Sequence, residues 1–480
     1  MLALCLAALL CIAWQDTLEP LTEVWQGVVH VGGLGQKIDI TVTFAGRPDG
    51  SFAATFGLVG KDVKDIPLAD VTFDDQQIAF TLVKPGHPEA NECYRARRTT
   101  AGGDRAVGTL SMRGTEIGTI ALRRLAPGEE PRSSNLRPQT PRPPFPYEQR
   151  AIVYVNPHDG VKRAGTLTLP LDGAPHPAVI LESGSGPQDR DTTLADHKAF
   201  LVIADHLTQR GIAVLRVDDR GVGASTGNDA DASYEDLTLD LLAGVAALGE
   251  IDAIDDTRIG VLGISQGATI GPMAAARSHD IAFVVMLGGM GVPGDQVMYT
   301  QKRMILASMG VGGEWLAQRM AAQRTLLDLV LRDADAATIR KHLEDTVDLE
   351  IPPAARPQVD AATRKMLVDS GLAAVTSRSL RALIKNRPES YLAKVQQPVL
   401  AIFGANDLQV EPVANEAAVK ELLAKAKNQD VTTWIAPRMS HNLQTTDTGR
   451  IDEYGEIEET VKPELLERIT AWIRSKTGSK

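Results

Sequence analysis

The stretch RIGVLGISQGATIGPMAAA, from Arg258 to Ala276, decides how this chain folds. Its apolar run, Ile259-Gly-Val-Leu262, has the length and character of a buried strand and stops at a glycine. The residues Gly263-Ile-Ser-Gln-Gly267 come next, and a helical pattern of small and apolar residues follows them. The stretch therefore predicts a strand, a tight turn and a helix, with Ser265 at the turn.

A serine between two glycines at such a turn is typical of the nucleophile elbow of α/β-hydrolases. The serine sits at a strained backbone position, and side chains at the flanking positions would collide across so tight a turn. The helix that begins just after the serine points its amide groups at the place where an oxyanion would form. A plain strand-to-helix turn is the alternative, and the strand before and the helix after Ser265 favour the elbow.

A serine nucleophile needs a histidine base, and the base needs an acid that orients it. In α/β-hydrolases the three follow one another in the order serine, acid, histidine. Three histidines follow Ser265: His279 ends the elbow helix, His342 lies in a long helical stretch, and His441 follows the last apolar strand. Elimination leaves His441 as the candidate base.

The acid is expected in the loop after the penultimate strand. That loop is Gly404-Ala-Asn-Asp-Leu-Gln-Val410, and it makes Asp407 the candidate. Asp295, after the strand that ends near Gly289, is the rival. Aspartate is also common in such loops simply because it forms turns, which is the alternative role for both residues.

The oxyanion of an acyl-transfer reaction is held by two backbone amides. One is expected from Gln266, directly after the nucleophile. The other is expected from the loop Ser183-Gly-Ser-Gly-Pro187, with Ser185 as the first candidate and Gly184 as the near alternative. Small residues there would let the backbone approach the substrate carbonyl closely.

The pattern of apolar, polar and proline residues divides the chain into three segments. Residues 22–124 alternate apolar and polar side chains in about eight short runs, which predicts a small antiparallel β-barrel or sandwich. Residues 125–147 are proline-rich and predict an extended linker. Residues 148–480 alternate strands and helices, which predicts a mostly parallel sheet covered on both faces. That alternation stops at about 293–392, where a helical insert is expected to form a cap over the carboxyl ends of the strands.

Composition limits the partners and the compartment. A net charge of −11 over 480 residues argues against binding to nucleic acid or to an anionic membrane surface.

Residues 1–14 read as a signal peptide, and their apolar core is too short for a membrane span. We therefore expect an exported, periplasmic or extracellular protein, or a cytoplasmic one if this segment is not a signal. The mature chain would keep Cys93 of the three cysteines, Cys5, Cys11 and Cys93, so no intramolecular disulfide is expected.

Two charged loops are candidate ligand sites: loop 188–191 suggests a metal site, and loop 218–225 suggests a phosphate site. Neither has convincing ligand spacing, and no metal or cofactor is expected. The predicted role of these loops is charge pairing that holds the loops around the site. The residues concerned are Asp189, Arg190, Asp219 and Arg220.

From about Ala164 onward the chain resembles a bacterial family of exported α/β-hydrolases, which are esterase-type relatives of the serine aminopeptidase-like hydrolases and carry a small N-terminal β-domain. The motifs that carry the resemblance are ESGSGPQDRD, HKAFLVIADHLTQRGIAVLRVDDRGVGAST, IGVLGISQGA, QPVLAIFGANDLQV and SHNLQTTDTG. The resemblance implies an α/β-hydrolase fold, a triad of Ser265, Asp407 and His441, and hydrolysis of carboxylic esters. The chain departs from the family at Ile264, where relatives often have histidine, and at Ala268, where glycine is common.

The leading hypothesis is a serine carboxylesterase that acts on a small-molecule ester. Amide hydrolysis by the same triad, as in an aminopeptidase or acyl-peptide hydrolase, is the alternative. An acidic residue of the cap that grips a substrate amine would favour it, with Glu314 and Glu344 as candidates. Acyl transfer to an acceptor other than water is also open. A binding protein with an inactive hydrolase domain is a further hypothesis, and the presence of all three triad residues argues against it.

Overall fold

The computed structural model of the protein describes residues 22–31, 36–60, 63–86, 88–112, 114–131 and 137–478. The predicted signal peptide, residues 1–14, lies outside the described residues. The chain forms two compact units, Met1–Leu136 and Arg137–Lys480. No helix in the described ranges is long and apolar enough to cross a membrane.

The described part of the first unit is one continuous antiparallel sheet of nine strands in the order β4-β3-β2-β1-β9-β8-β7-β6-β5. The strands are β1 (Thr22–Val31), β2 (Gln36–Gly46), β3 (Phe52–Leu58), β4 (Val63–Pro67), β5 (Ala69–Phe73), β6 (Gln77–Leu82), β7 (Glu92–Arg98), β8 (Arg105–Met112) and β9 (Thr115–Arg124). Alternate side chains of β2, such as Val42 and Phe44, are buried because successive residues of a strand face opposite sides. Phe73 of the last strand in this order stacks on Phe44, with ring centroids 4.2 Å apart, so the sheet rolls around a single core.

The second unit contains an eight-stranded sheet in the order β10-β11-β15-β12-β16-β17-β18-β19. From β15 onward neighbouring strands are parallel, while β10 and β11 join antiparallel at one edge. The strands are β10 (Glu148–Val155), β11 (Lys162–Leu169), β12 (His176–Glu182), β13 (Thr193–Leu194), β14 (His197–Lys198), β15 (Ala213–Val217), β16 (Ile254–Ile264), β17 (Phe283–Leu287), β18 (Val399–Gly404) and β19 (Val431–Ala436), of which β13 and β14 form a separate small hairpin.

Helices cover both faces of this sheet. Along β12, Val179 packs into one core and Ile180 into the other, as the pleat of a strand buried on both sides requires. The helices are α1 (Ala199–Thr208), α2 (Tyr234–Gly249), α3 (Gly267–Ala275), α4 (Gly294–Ser308), α5 (Gly313–Leu331), α6 (Ala336–Glu350), α7 (Ala361–Thr376), α8 (Arg378–Lys385), α9 (Glu389–Leu392), α10 (Pro412–Lys425) and α11 (Pro463–Thr477). Helices α1 and α11 lie on one face, and α2, α3 and α10 lie on the other.

The helices α4 to α9 lie in the chain between the parallel strands β17 and β18. No strand interrupts this helical segment, which the structure describes in full. Helices α4 to α8 pack around a small apolar core that includes Leu327, Val330 and Ile339. This is the predicted helical insert, which we call the cap. The fold class is therefore confirmed: an α/β-hydrolase fold with a helical cap, preceded by a small all-β domain.

The second half of the proline-rich segment is part of the second unit. The guanidinium of Arg137 donates to the carbonyls of Ala195 at 2.8 Å and Gly455 at 2.9 Å. The amide of Gln139 donates to the carbonyl of Val461 at 2.7 Å. Residues 137–147 thus differ from a free spacer, because their polar side chains satisfy backbone carbonyls of the hydrolase unit.

Candidate active site

The turn that carries Ser265 is as tight as the glycines predict. Ser265 has φ of 55°, in the left-handed region that L-residues rarely adopt. A Cβ on Gly263 would lie 2.1 Å from the carbonyl of Gly267, and a Cβ on Gly267 would lie 2.1 Å from the carbonyl oxygen of Glu182. The amide of Ser265 donates to the carbonyl of Leu287 in the neighbouring strand at 2.8 Å. The backbone around the serine is therefore held on both sides, with no room for larger residues.

Asp407 and His441 form a hydrogen-bonded pair in which the carboxylate is buried and the imidazole is partly buried. Nδ1 of His441 lies 2.7 Å from Oδ2 of Asp407, and Asp407 is only 1% exposed. The other oxygen, Oδ1, accepts the backbone amides of Gln409 at 2.7 Å and Val410 at 2.8 Å. Because an ionised carboxylate can only accept, Nδ1 is the donor, which leaves Nε2 of a neutral imidazole free to accept a proton.

Gly288, which sequence reasoning did not single out, makes room for this pair. It follows β17 with φ of 62°. A Cβ at this position would lie 3.3 Å from Nδ1 of His441 and 3.4 Å from Oδ2 of Asp407. The sequence signal was the pair Gly288-Gly289 directly after an apolar strand. Its role depends on which loop packs against these glycines, and the sequence does not show that.

Ser265 lines two cavities. The smaller, of about 150 Å³, is also lined by His441, Gly184 and Ser185. The larger, of about 440 Å³, extends beneath the cap and is called here the serine cavity. The structure thus brings the predicted nucleophile and the predicted base to one cavity, with the predicted acid bonded to the base.

The rival candidates lie elsewhere. Asp295 is in the first turn of α4 and forms an ion pair with Arg387 at 3.2 Å, whereas His441 is bonded to Asp407. His279 is exposed and lies four residues past the end of α3. Nε2 of His342 lies 3.0 Å from the carbonyl of Ala322, inside the cap.

The loop expected to complete the oxyanion hole lies against the serine. A Cβ built on Gly184 would be 3.7 Å from Cβ of Ser265, and Ser185 lines both cavities. Gln266 precedes the first residue of α3 and lines the serine cavity. Within the described part of the chain, the backbone amides of Gly184, Ser185 and Gln266 have no protein acceptor.

A buried carboxylate holds that loop from behind. Both oxygens of Asp219 accept from the hydroxyl of Ser183, at 2.9 and 2.8 Å, and one of them also accepts the amide of Gln188 at 2.9 Å. Burial raises the pKa of Asp219 to about 7 and the pKa of Glu182, at the end of β12, to about 8. Asp219, which lines neither cavity, therefore positions the loop through Ser183 and Gln188 at its two ends.

The charged loops do pair, but with other partners than predicted. Arg190 pairs with Asp218 at 2.5 Å, and Arg220 pairs with Asp240 at 2.7 Å. Asp240 also bonds Arg163 at 2.6 Å. The prediction missed Asp240 because it lies on α2, outside both loops. Among the described residues, no group of three or more His, Cys, Asp or Glu side chains could hold a metal.

One charged side chain of the serine cavity lacks a direct partner. Asp229 lines this cavity and is 7% exposed. Among the residues the structure describes, none hydrogen-bonds or forms an ion pair with its carboxylate. Burial raises the pKa of Asp229, and the charges of Arg163 and Arg220 oppose that rise. Nothing in the sequence distinguished Asp229 from its neighbours, since a lone aspartate in a polar loop is common.

Comparison with known proteins gives a curated relative that matches about half of the chain. Esterase EstD from Thermotoga maritima is 30% identical over 258 residues, which are 54% of this chain and 53% of that protein. The chain thus matches about half the length of this curated relative.

Solved structures match with lower identity. An esterase from Pyrococcus furiosus has 18% identity over 69% of this chain and 91% of its own, with a TM-score of 0.41. The α/β hydrolase GrgF from a Penicillium species has 15% identity over 69% of this chain and 99% of its own, with a TM-score of 0.43.

The model of the family described as serine aminopeptidase, S33, matches residues 195–448. The match begins just before helix α1 and includes Ser265, Asp407, His441 and the whole cap. Because it covers more than half of the chain, the protein belongs to the serine aminopeptidase S33 family.

Proposed function

We propose that the protein is a serine hydrolase that cleaves carboxylic esters through Ser265, His441 and Asp407. The observation that carries the proposal is the hydrogen bond between the buried Asp407 and His441, which lines a cavity that Ser265 also lines. The membership of the family and the esterase name of the relative from Thermotoga maritima support the same reaction class.

In the proposed reaction, Nε2 of His441 takes the hydroxyl proton of Ser265 as Oγ attacks the ester carbonyl. The amides of Gln266 and Ser185, with Gly184 as the alternative to Ser185, stabilise the oxyanion. His441 then gives the proton to the leaving alcohol, and an acyl-enzyme remains. Water activated by His441 releases the acid, and Asp407 stabilises the imidazolium in both steps.

The substitution Asp407→Asn tests the role of the acid. We expect kcat for p-nitrophenyl butyrate to fall by about 10⁴-fold, because an amide nitrogen facing Nδ1 would favour the wrong imidazole tautomer. The side-chain oxygen of asparagine can still accept the amides of Gln409 and Val410, so the melting temperature should stay close to that of the wild type. Asp280→Asn, at an exposed position, is the matched control. Activity of Asp407→Asn within tenfold of the wild type would remove Asp407 from the triad.

Amide hydrolysis next to a substrate amine is the second candidate function, and Asp229 is the observation that favours it. A buried carboxylate without a direct partner is costly unless a ligand pairs with it, and a protonated amine would do so. The two acidic residues expected for this role do not line the serine cavity. Glu314 is exposed and accepts from Gln318, and Glu344 is exposed near Arg340.

The substitution Asp229→Asn separates the two functions. If the enzyme cleaves aminoacyl p-nitroanilides, we expect the ratio of anilide to ester kcat/KM to fall about 10- to 100-fold, since a hydrogen bond to a charged group contributes about 1.5–3 kcal/mol. Wild type and variant are compared on alanyl p-nitroanilide and p-nitrophenyl butyrate. An unchanged ratio, or a wild type inactive on anilides, would leave the esterase as the function.

A further inference from the structure

The cap contains a further cavity, of about 340 Å³, that the reaction above does not use. We call it the cap cavity. Its walls come from four helices, α4, α5, α7 and α8, and are mostly aliphatic. The apolar side chains among them are Met298, Ile305, Leu306, Leu326, Leu327, Val375, Leu380 and Ile384.

The cap cavity adjoins the serine cavity. Met298, Gln301 and Leu380 line both cavities. Along α4, the residues that line the serine cavity begin at Val297, and those that line the cap cavity continue to Leu306. From Met298 to Leu306 an α-helix rises about 12 Å. The two cavities therefore follow one another along α4, with Ser265 at one end and a wall of flexible and aliphatic side chains between them.

The polar groups of the cap cavity are largely occupied by one another. Nζ of Lys302 bonds Glu350 at 2.8 Å and the side-chain oxygen of Gln323 at 3.1 Å. Arg319 pairs with the other oxygen of Glu350. Because these head groups are engaged, their methylene stems add to the apolar lining. A water-filled void of this composition is less favourable than one filled by hydrocarbon.

We infer that the cap cavity receives the distal part of the acyl chain of a medium- or long-chain ester whose carbonyl lies at Ser265. The inference rests on the proposed ester hydrolysis and adds the substrate class to it. The acyl chain passes between Met298 and Leu380, and the methylene groups beyond this point lose their contact with water in the cap.

A ladder of p-nitrophenyl esters from acetate to dodecanoate tests the inference on the full-length protein. For the wild type, kcat/KM should rise about three- to fourfold for each methylene that enters the cap cavity, over several steps beyond butyrate. Leu326→Trp, at a position that lines the cap cavity and not the serine cavity, should fill the cap cavity, so that acetate and butyrate are still cleaved while the gain with longer chains is lost. Met309→Trp, at a 65% exposed position just after α4, should keep the wild-type profile.

A second variant and a binding measurement test the inference independently of the first variant. Ile305→Phe narrows the cap cavity from α4, and it should shorten the preferred chain without affecting butyrate. Calorimetric titration of decanoate into Ser265→Ala should show binding that the added substitution Leu326→Trp removes. A profile that is flat or falls from butyrate, or decanoate binding that Leu326→Trp leaves unchanged, would overturn the inference.

These readouts also separate the inference from the proposed function. A protein that cleaves no ester at all, acetate included, would contradict the proposed function. The titration with decanoate would then still decide whether the cap cavity binds an acyl chain.

Discussion

Replacing Ser265 with alanine is expected to lower kcat for p-nitrophenyl butyrate by about 10⁶-fold, the scale seen when the serine of a hydrolase triad is removed. The substitution deletes the only atom that can form the acyl-enzyme in the proposed reaction. The backbone at this turn should persist, because the glycines at 263 and 267 and the hydrogen bond from the Ser265 amide remain. The measurement is steady-state hydrolysis, with circular dichroism to check the fold.

The matched control for this substitution is Ser278→Ala. Ser278 lies just past the elbow helix, and among the described residues its hydroxyl bonds only Asp280. It should keep full activity. A fluorophosphonate probe should label the wild type and Ser278→Ala but not Ser265→Ala. Labelling or turnover that survives in Ser265→Ala would place the nucleophile elsewhere.

Replacing His441 with alanine is expected to have an effect of the same size, about 10⁶-fold in kcat. Without the imidazole, the hydroxyl of Ser265 has no base at Nε2 and the leaving alcohol has no acid. Asp407 would keep its two backbone amide donors, so the loop after β18 should hold its shape. The losses of kcat caused by Ser265→Ala and His441→Ala should not add in the double variant, because the two residues act in the same step.

His279→Ala and His342→Ala are the controls, because they are the other histidines that follow Ser265 in the chain. Both should hydrolyse p-nitrophenyl butyrate at nearly the wild-type rate. A double variant of Ser265 and His441 that is no worse than either single variant would support a shared step. Activity of His441→Ala within 100-fold of the wild type would exclude His441 as the base.

Much of the fold was readable from the sequence because the signals are local. The elbow at Ser265 follows from a strand, two glycines and a helix within 19 residues. Strict alternation in residues 22–124 and apolar runs in the second unit distinguish a sheet exposed on one side from a sheet buried on both. The candidates Asp407 and His441 follow from the order of elements, since each comes directly after one of the last two strands of the sheet.

The proline-rich segment shows where a local signal falls short. Its seven prolines between Pro127 and Pro146 predict an extended backbone, and they say nothing about what that backbone contacts. Arg137 and Gln139 bind carbonyls that lie more than 300 residues later in the chain. A partner at that distance cannot be read from composition.

The sequence by itself therefore determined the fold class and the three residues proposed for the reaction. Strand ends and tight turns depend on short local patterns of residues, which the sequence shows directly. Only the tertiary structure decided which side chains meet. It placed Gly288 against the imidazole of His441 and joined Arg220 to Asp240. It also left Asp229 at the serine cavity with no direct partner among the described residues, and formed a further cavity inside the cap. The physical reason is that burial, charge pairing and cavity shape depend on elements distant in the chain, whose packing no local periodicity encodes.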